Sequence, residues 1–147
     1  MTNYELRPAL DALKKINLSL IKEQKMKNRL FELSLELLSA DRALQQKRED
    51  IRTVVFGPVQ SSVDEVNRLI YQMNNESDVV KKKALQDELN SHKELLEPNY
   101  EFTQKIEKLM KEEFAVKPIK KDSFVAAISE LDGIDLGVLE GLFPILS

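Results

Sequence analysis

The 147-residue sequence contains no cysteine and no tryptophan, one histidine, four glycines and five prolines. Without cysteine there are no disulfides, thiolate metal ligands or thiol nucleophiles, which fits a reducing compartment. With His92 as the sole histidine, a histidine-based triad is poorly supported and a multi-histidine metal site cannot be built within one chain. His92 reads instead as a lone surface residue on a helix. Gly57, Gly133, Gly137 and Gly141 form no phosphate-cradling loop, and no Gly-Lys-Ser/Thr sequence occurs. The carboxylate pairs Asp64/Glu65, Asp87/Glu88 and Glu112/Glu113 share their segments with Lys or Arg, as solvated helix faces do. The expectation is a chain that is not an enzyme, with no catalytic, cofactor-binding or metal-binding residues and no cofactor.

Long hydrophobic runs are also missing. Residues 1–12 carry Glu5, Arg7 and Asp11 where a signal peptide needs an uninterrupted apolar stretch. The densest apolar stretch, residues 134–146, is broken by Asp135, Glu140 and Pro144. It falls well short of the roughly 20 residues needed to span a bilayer. A cytoplasmic protein without membrane association is expected.

Hydrophobic residues make up 42% and charged residues 32%, too apolar for a disordered chain and too charged for a membrane protein. Leu, Lys and Glu are abundant, and these lose little free energy in a helix. The fold class expected is mostly all-α: a long antiparallel helical hairpin or bundle with coiled-coil character, one short extended segment, and a C-terminal region of short helices. One domain, 1–147, is expected, with the hairpin or bundle over 1–113 and an extended strap plus short helices over 114–147.

Leu6, Leu10, Leu13 and Ile16 recur at helical spacing, with Pro8 read as part of a first helical turn. Alternation over residues 17–21 predicts a break. From about Lys22 to Val55 there is no glycine or proline, and Leu30, Leu37, Leu44 and Ile51 recur every seven residues. Leu33, Ala40 and Val54 occupy companion positions, and Lys47 interrupts them. This is either a coiled-coil self-association seam or a core stripe of a bundle. Phe31, Leu35 and Leu38 widen it so far that more than one partner helix is needed.

Gly57-Pro58 predicts the end of this helix and a chain reversal. Ser62 with Glu65 reads as a capping box opening a helix with Val63, Val66, Leu69, Ile70 and Met73 inward. Asn74 to Asp78 is a loop or a solvent-facing turn. Helical spacing then resumes through Val80, Leu85, Leu89 and Leu96, with Pro98 marking a boundary before Phe102, Ile106, Leu109 and Met110. Residues 114–119 should be extended, and Asp122 or Ser123 should cap a short helix carrying Phe124 and Ile128, ended by Gly133.

Charge is unevenly laid out. Residues 1–60 hold 11 Lys+Arg against 8 Asp+Glu, residues 61–121 hold 11 against 12, and residues 122–147 hold none against 5. Such a chain can pair its own ends, pair with a copy of itself, or offer an acidic patch to a basic partner. In the acidic tail, Gly133, Gly137 and Gly141 would share one helix face and let another backbone approach closely. Two readings stand for the tail: short helices packed on the bundle, or an anchor of Leu136, Leu139, Leu142, Phe143, Ile145 and Leu146 that docks on a protein partner.

The order of these pieces resembles that of small uncharacterised proteins of tailed phages and prophages of Gram-positive bacteria. The matching parts are Leu10-Asp11-Ala12-Leu13-Lys14-Lys15-Ile16, the helix to Val55, and Val116-Lys117-Pro118-Ile119 through Phe124 to Leu142-Phe143-Pro144-Ile145-Leu146. The resemblance is one of layout over about half the chain, and it supplies no catalytic residues. It implies a phage-like origin, and together with the missing catalytic motifs the expectation is a phage-encoded, non-catalytic protein–protein interaction protein in the host cytoplasm, acting in particle assembly or by inhibiting a host protein. Homo-oligomerisation is expected from the seam. The alternative is a nucleic-acid-associated protein using the basic N-terminal third, with Lys14, Lys15, Lys22, Lys25, Lys27 and Arg29, and Lys81-Lys82-Lys83 beyond it.

Overall fold

Helix-favouring residues dominate the chain, and helices are what form. The computed structural model describes residues 1–147 and contains α1 (Asn3–Lys14), α2 (Gln24–Phe56), α3 (Gln60–Asn74), α4 (Val79–Asn90), α5 (Leu96–Lys111), α6 (Lys121–Ile128) and α7 (Leu136–Leu142). No sheet forms; the only β pairings are two isolated bridges, Thr2 with Glu113 and Ile119 with Leu146. The fold is all-α. No helix is long and apolar enough to cross a membrane.

The chain divides into two compact units, one of Met1–Lys47 with Lys108–Ser147 and the other of Arg48–Glu107. The division falls within α2 and α5.

In the first unit, α1 opens with a capping box absent from the sequence reading. The Glu5 carboxylate accepts from the Thr2 backbone N–H at 2.6 Å and from the Thr2 hydroxyl at 3.0 Å. These bonds, the backbone one foremost, hold the Glu5 carboxyl below its ordinary range. Leu6, Ala9, Leu10, Ala12 and Leu13 are buried along one face. Pro8 lies inside α1, not in its first turn. The predicted break follows: Asn17 accepts from the Ser19 N–H and opens a short 3₁₀ turn, Leu18–Leu20. On α2, Leu30, Leu33, Leu37 and Leu44 are buried within this unit.

The expected extended segment is present and works as a strap. Asn3 N–H donates to the Glu112 carbonyl at 3.1 Å and Phe114 N–H to the Met1 carbonyl at 2.9 Å. At its other end, Ile119 N–H donates to the Ile145 carbonyl and Ser147 N–H to the Ile119 carbonyl, both at 2.9 Å. Arg29 donates to the Lys117 carbonyl and pairs with Glu36 at 2.9 Å, tying α2 to the same strap. Beyond it, α6 inserts Phe124, which is fully buried. Gly133 takes φ +78° in the turn that follows, a left-handed conformation that a side chain would strain.

Helix α7 packs on α1. The reason lies in Gly141. A Cβ there would sit 2.7 Å from the Pro8 carbonyl oxygen and 2.8 Å from the Ala12 Cβ, so only glycine lets the two backbones come so near. The close approach read from the glycine spacing is real at Gly141, and the backbone it admits is the chain's own.

The second unit is a helical hairpin, but its reversal is not at Gly57-Pro58. Helical backbone continues through a 3₁₀ turn, Gly57–Val59, into α3. Gly57 does not adopt positive φ, and Pro58 sits at the start of the turn, where its missing N–H costs nothing. The chain turns instead between α3 and α4. There Asp78 accepts from Val80 N–H at 2.9 Å and Lys81 N–H at 3.1 Å, capping α4. Helix α3 pairs with α4. Further along the returning arm of the hairpin, Phe102 of α5 meets Phe56 with ring centroids 5.4 Å apart, and Arg52 lies 5.3 Å over the Phe102 ring. The Ser62/Glu65 capping box does not form, since α3 already begins at Gln60. Glu65 pairs with Arg68 instead, with Arg68 Nε donating at 2.9 Å, and that bond lowers its carboxyl from the ordinary range.

Candidate protein-binding surface

A helix can turn apolar residues toward a neighbour on only one side, so a stripe wider than its neighbours can cover is left in solvent. On α2 of the first unit that is the outcome. Leu30, Leu33 and Leu37 face inward, while Phe31, Leu35 and Leu38, spaced i, i+4 and i+7, lie about 100° round the helix. These three are 57%, 54% and 44% exposed. The extra partner helix that their spacing calls for is not supplied by the unit itself. Charged residues flank the trio along the same side, Lys27 and Glu32 at one end and Arg42 at the other.

The proposed tail anchor is only partly available. Leu142 and Ile145 are buried, Leu139 and Leu146 are half-buried, and Leu136 and Phe143 remain 68% and 67% exposed. The tail packs inward because α7 is held to α1 through Gly141, and because residues 145–147 pair with Ile119. An anchor of all six residues is thus corrected to two outward side chains. Phe143 has Lys121 over its ring at 6.0 Å.

The seven-residue seam is corrected as well. Leu30, Leu37 and Leu44 are buried in the chain's own first unit, and Ile51 is half-buried in the second. Its companion Val54 is exposed. Lys47 points to solvent and forms an exposed ion pair with Glu112 at 3.2 Å. The buried part of the seam, Leu30, Leu37 and Leu44, is intramolecular packing.

The other residues singled out from sequence fall apart in space. His92 is not on a helix but at the start of the 3₁₀ turn Lys93–Leu95, with Nδ1 2.7 Å from Glu94. That hydrogen bond holds the Glu94 carboxyl below its ordinary range. Pro98 lies in the first turn of α5 rather than at its boundary. Of the basic residues, Lys14 pairs with Asp11 and Lys22 with Glu130, the latter at 3.0 Å and joining the basic front of the sequence to its acidic tail. Lys25, Arg29, Lys117 and Lys120 line one cavity of about 620 Å³, but Glu23 and Glu32 line it too, and Arg29 is engaged with the strap.

Fold and surface together define an all-α chain that leaves a contiguous apolar trio on its longest helix. No protein-family model, curated protein or solved structure matches this chain.

Proposed function

We propose that this chain is a non-catalytic protein–protein interaction protein whose partner docks on the Phe31–Leu35–Leu38 face of α2. The observation that carries the reading is the exposure of those three side chains at helical spacing beside a fully buried stripe. Each apolar side chain of this size contributes about 1.5–3 kcal/mol when it is removed from water. The i, i+4, i+7 spacing suits an apolar helix or groove of a second protein. The layout shared with small phage and prophage proteins supports particle assembly or inhibition of a host protein as the setting.

The test is affinity capture from a lysate of the source cells with the wild type and with a Phe31→Ser, Leu35→Ser, Leu38→Ser triple variant. Melting temperature is followed in parallel. A specific protein captured by the wild type and lost by a triple variant that melts like the wild type supports the reading. Equal capture by both overturns it.

A further inference from the structure

The charges around Phe31, Leu35 and Leu38 define the chemistry of whatever covers them. Successive residues of an α-helix lie about 100° apart, so the face can be laid out residue by residue. Within about 60° of Phe31, the stretch of α2 over residues 24–46, all of it in the first unit, places two charged side chains and no carboxylate. They are Lys27, four residues before Phe31, and Arg42, four residues after Leu38. Neither is engaged in an ion pair within the chain. The nearest acidic residues, Asp41 and Glu32, lie about 80° and 100° from Phe31 on opposite sides of the face. Glu32 pairs with Arg29 at 3.8 Å, and Asp41 is half-buried on the side of Leu37. The face is a straight row of cation, three exposed apolar side chains, cation.

That row reads the same from either end, which tells against a second copy of the chain as the occupant. Turned end for end, two such faces set Lys27 against Arg42 twice; laid parallel, they set each cation against its own copy. Both arrangements bring like charges together beside a desolvated apolar patch, where they cost affinity. A partner with carboxylates at both ends has the opposite balance. A narrow row along one helix is matched by a single helix laid beside it. We propose that the occupant is an acidic amphipathic helix of another protein, an inference that rests on the docking role of the α2 face. Its apolar stripe covers Phe31, Leu35 and Leu38, and a carboxylate beyond each end of the stripe meets Lys27 and Arg42. The two cations stand roughly 22 Å apart along α2, so the partner helix runs for about four turns. Burial of the trio supplies affinity, and the two ion pairs select the partner.

Two synthetic helical peptides test this against the full chain. Both carry Leu at i, i+4 and i+7 in an otherwise Ala- and Gln-rich sequence; one has Glu four residues before and after the Leu row, the other has Lys there. In fluorescence anisotropy the wild type should bind the acidic peptide about tenfold or more tighter than the basic one. Lys27→Glu with Arg42→Glu should reverse that preference. Lys27→Gln with Arg42→Gln should abolish it, which keeps the test decisive if the reversed pair disturbs folding. Equal affinity of the wild type for the two peptides, no binding of the acidic one, or a preference unchanged in both double variants overturns the proposal. So does sedimentation that shows a wild-type dimer dissociated by Phe31→Ser, since a second copy would then hold the face. Lysate capture separates this inference from the reading it rests on. A protein held equally by the wild type and by Lys27→Glu with Arg42→Glu, yet lost by the triple serine variant, overturns the acidic partner and leaves the docking face standing. Capture kept by the triple serine variant removes the docking face itself.

Discussion

Both units are helical and yet they differ in how much they bury. In Arg48–Glu107 only Val55, Leu69 and Leu95 are buried. In the other unit the core runs from Leu6 on α1 through Leu37 on α2 and Phe124 on α6 to Ile145 near the C-terminus. The difference follows from geometry. A hairpin has one seam and each apolar side chain is covered from one side, whereas the first unit closes its core with helices from two separate stretches of sequence and a strap. Its long-range ties cost chain entropy to close and are offset by burial. What the hairpin lacks in burial it shows as surface.

The sharpest way to break that comparison is to remove the tail. Deleting residues 134–147 takes away Val138, Leu142 and Ile145, worth about 1.5–3 kcal/mol each, together with the pairing at Ile119. Melting temperature should fall by more than about 10 °C. A truncated protein that melts like the wild type would show the tail to be an appendage after all.

A paired substitution compares the two units directly. Leu37→Ala in the first unit should cost about 4–5 kcal/mol, and Leu69→Ala in the hairpin about 2 kcal/mol, because a sparsely covered site collapses more easily. Urea unfolding of both variants checks the order, and equal losses would mean the hairpin is as well packed as its neighbour. Gly141→Ala should cost about 1–3 kcal/mol through overlap with the Pro8 carbonyl, more than the gain in helix propensity returns. Gly137→Ala, whose nearest neighbour would be an Asp135 side-chain oxygen at 3.1 Å, should be closer to neutral by the same melt.

Glu5→Gln should cost about 1 kcal/mol by weakening the box that opens α1. The sign of its pH dependence follows from the lowered carboxyl. A group that holds its proton less tightly when folded contributes stability above its unfolded pKa, and that contribution is lost as pH falls through the lowered folded value. The difference between wild type and Glu5→Gln should therefore shrink on acidification below the ordinary carboxylate range. The smallest effect is expected for Lys47→Leu, within about 0.5 kcal/mol, since the Lys47–Glu112 pair is exposed on both sides. A larger gain in stability or a change in oligomer size would return that position to a buried seam.

Much of the secondary structure was legible because local signals decide it. The break after Ile16, the loop before Asp78, and the extended strap around Pro118 all rest on capping or proline geometry within a few residues. The misread points were those where a local signal had two outcomes. Gly57-Pro58 can end a helix or pass through a 3₁₀ turn, and Ser62 with Glu65 caps only if a helix begins there. For the candidate surface, the trio Phe31, Leu35 and Leu38 was visible as apolar, but periodicity reports which residues share a face and not whether anything covers it.

Composition and spacing by themselves determined that this chain is helical, which residues line each helix face, and that the tail glycines permit close backbone contact, because propensity and periodicity act within one or two turns. Only the tertiary structure decided that Leu30, Leu37 and Leu44 of the seven-residue seam are internal core, that the tail lies on α1, and that the hairpin turns at Asn75–Asp78. Those outcomes depend on contacts between residues far apart in sequence, such as Asn3 with Leu109 and Ile119 with Ile145, whose free energy no local pattern records.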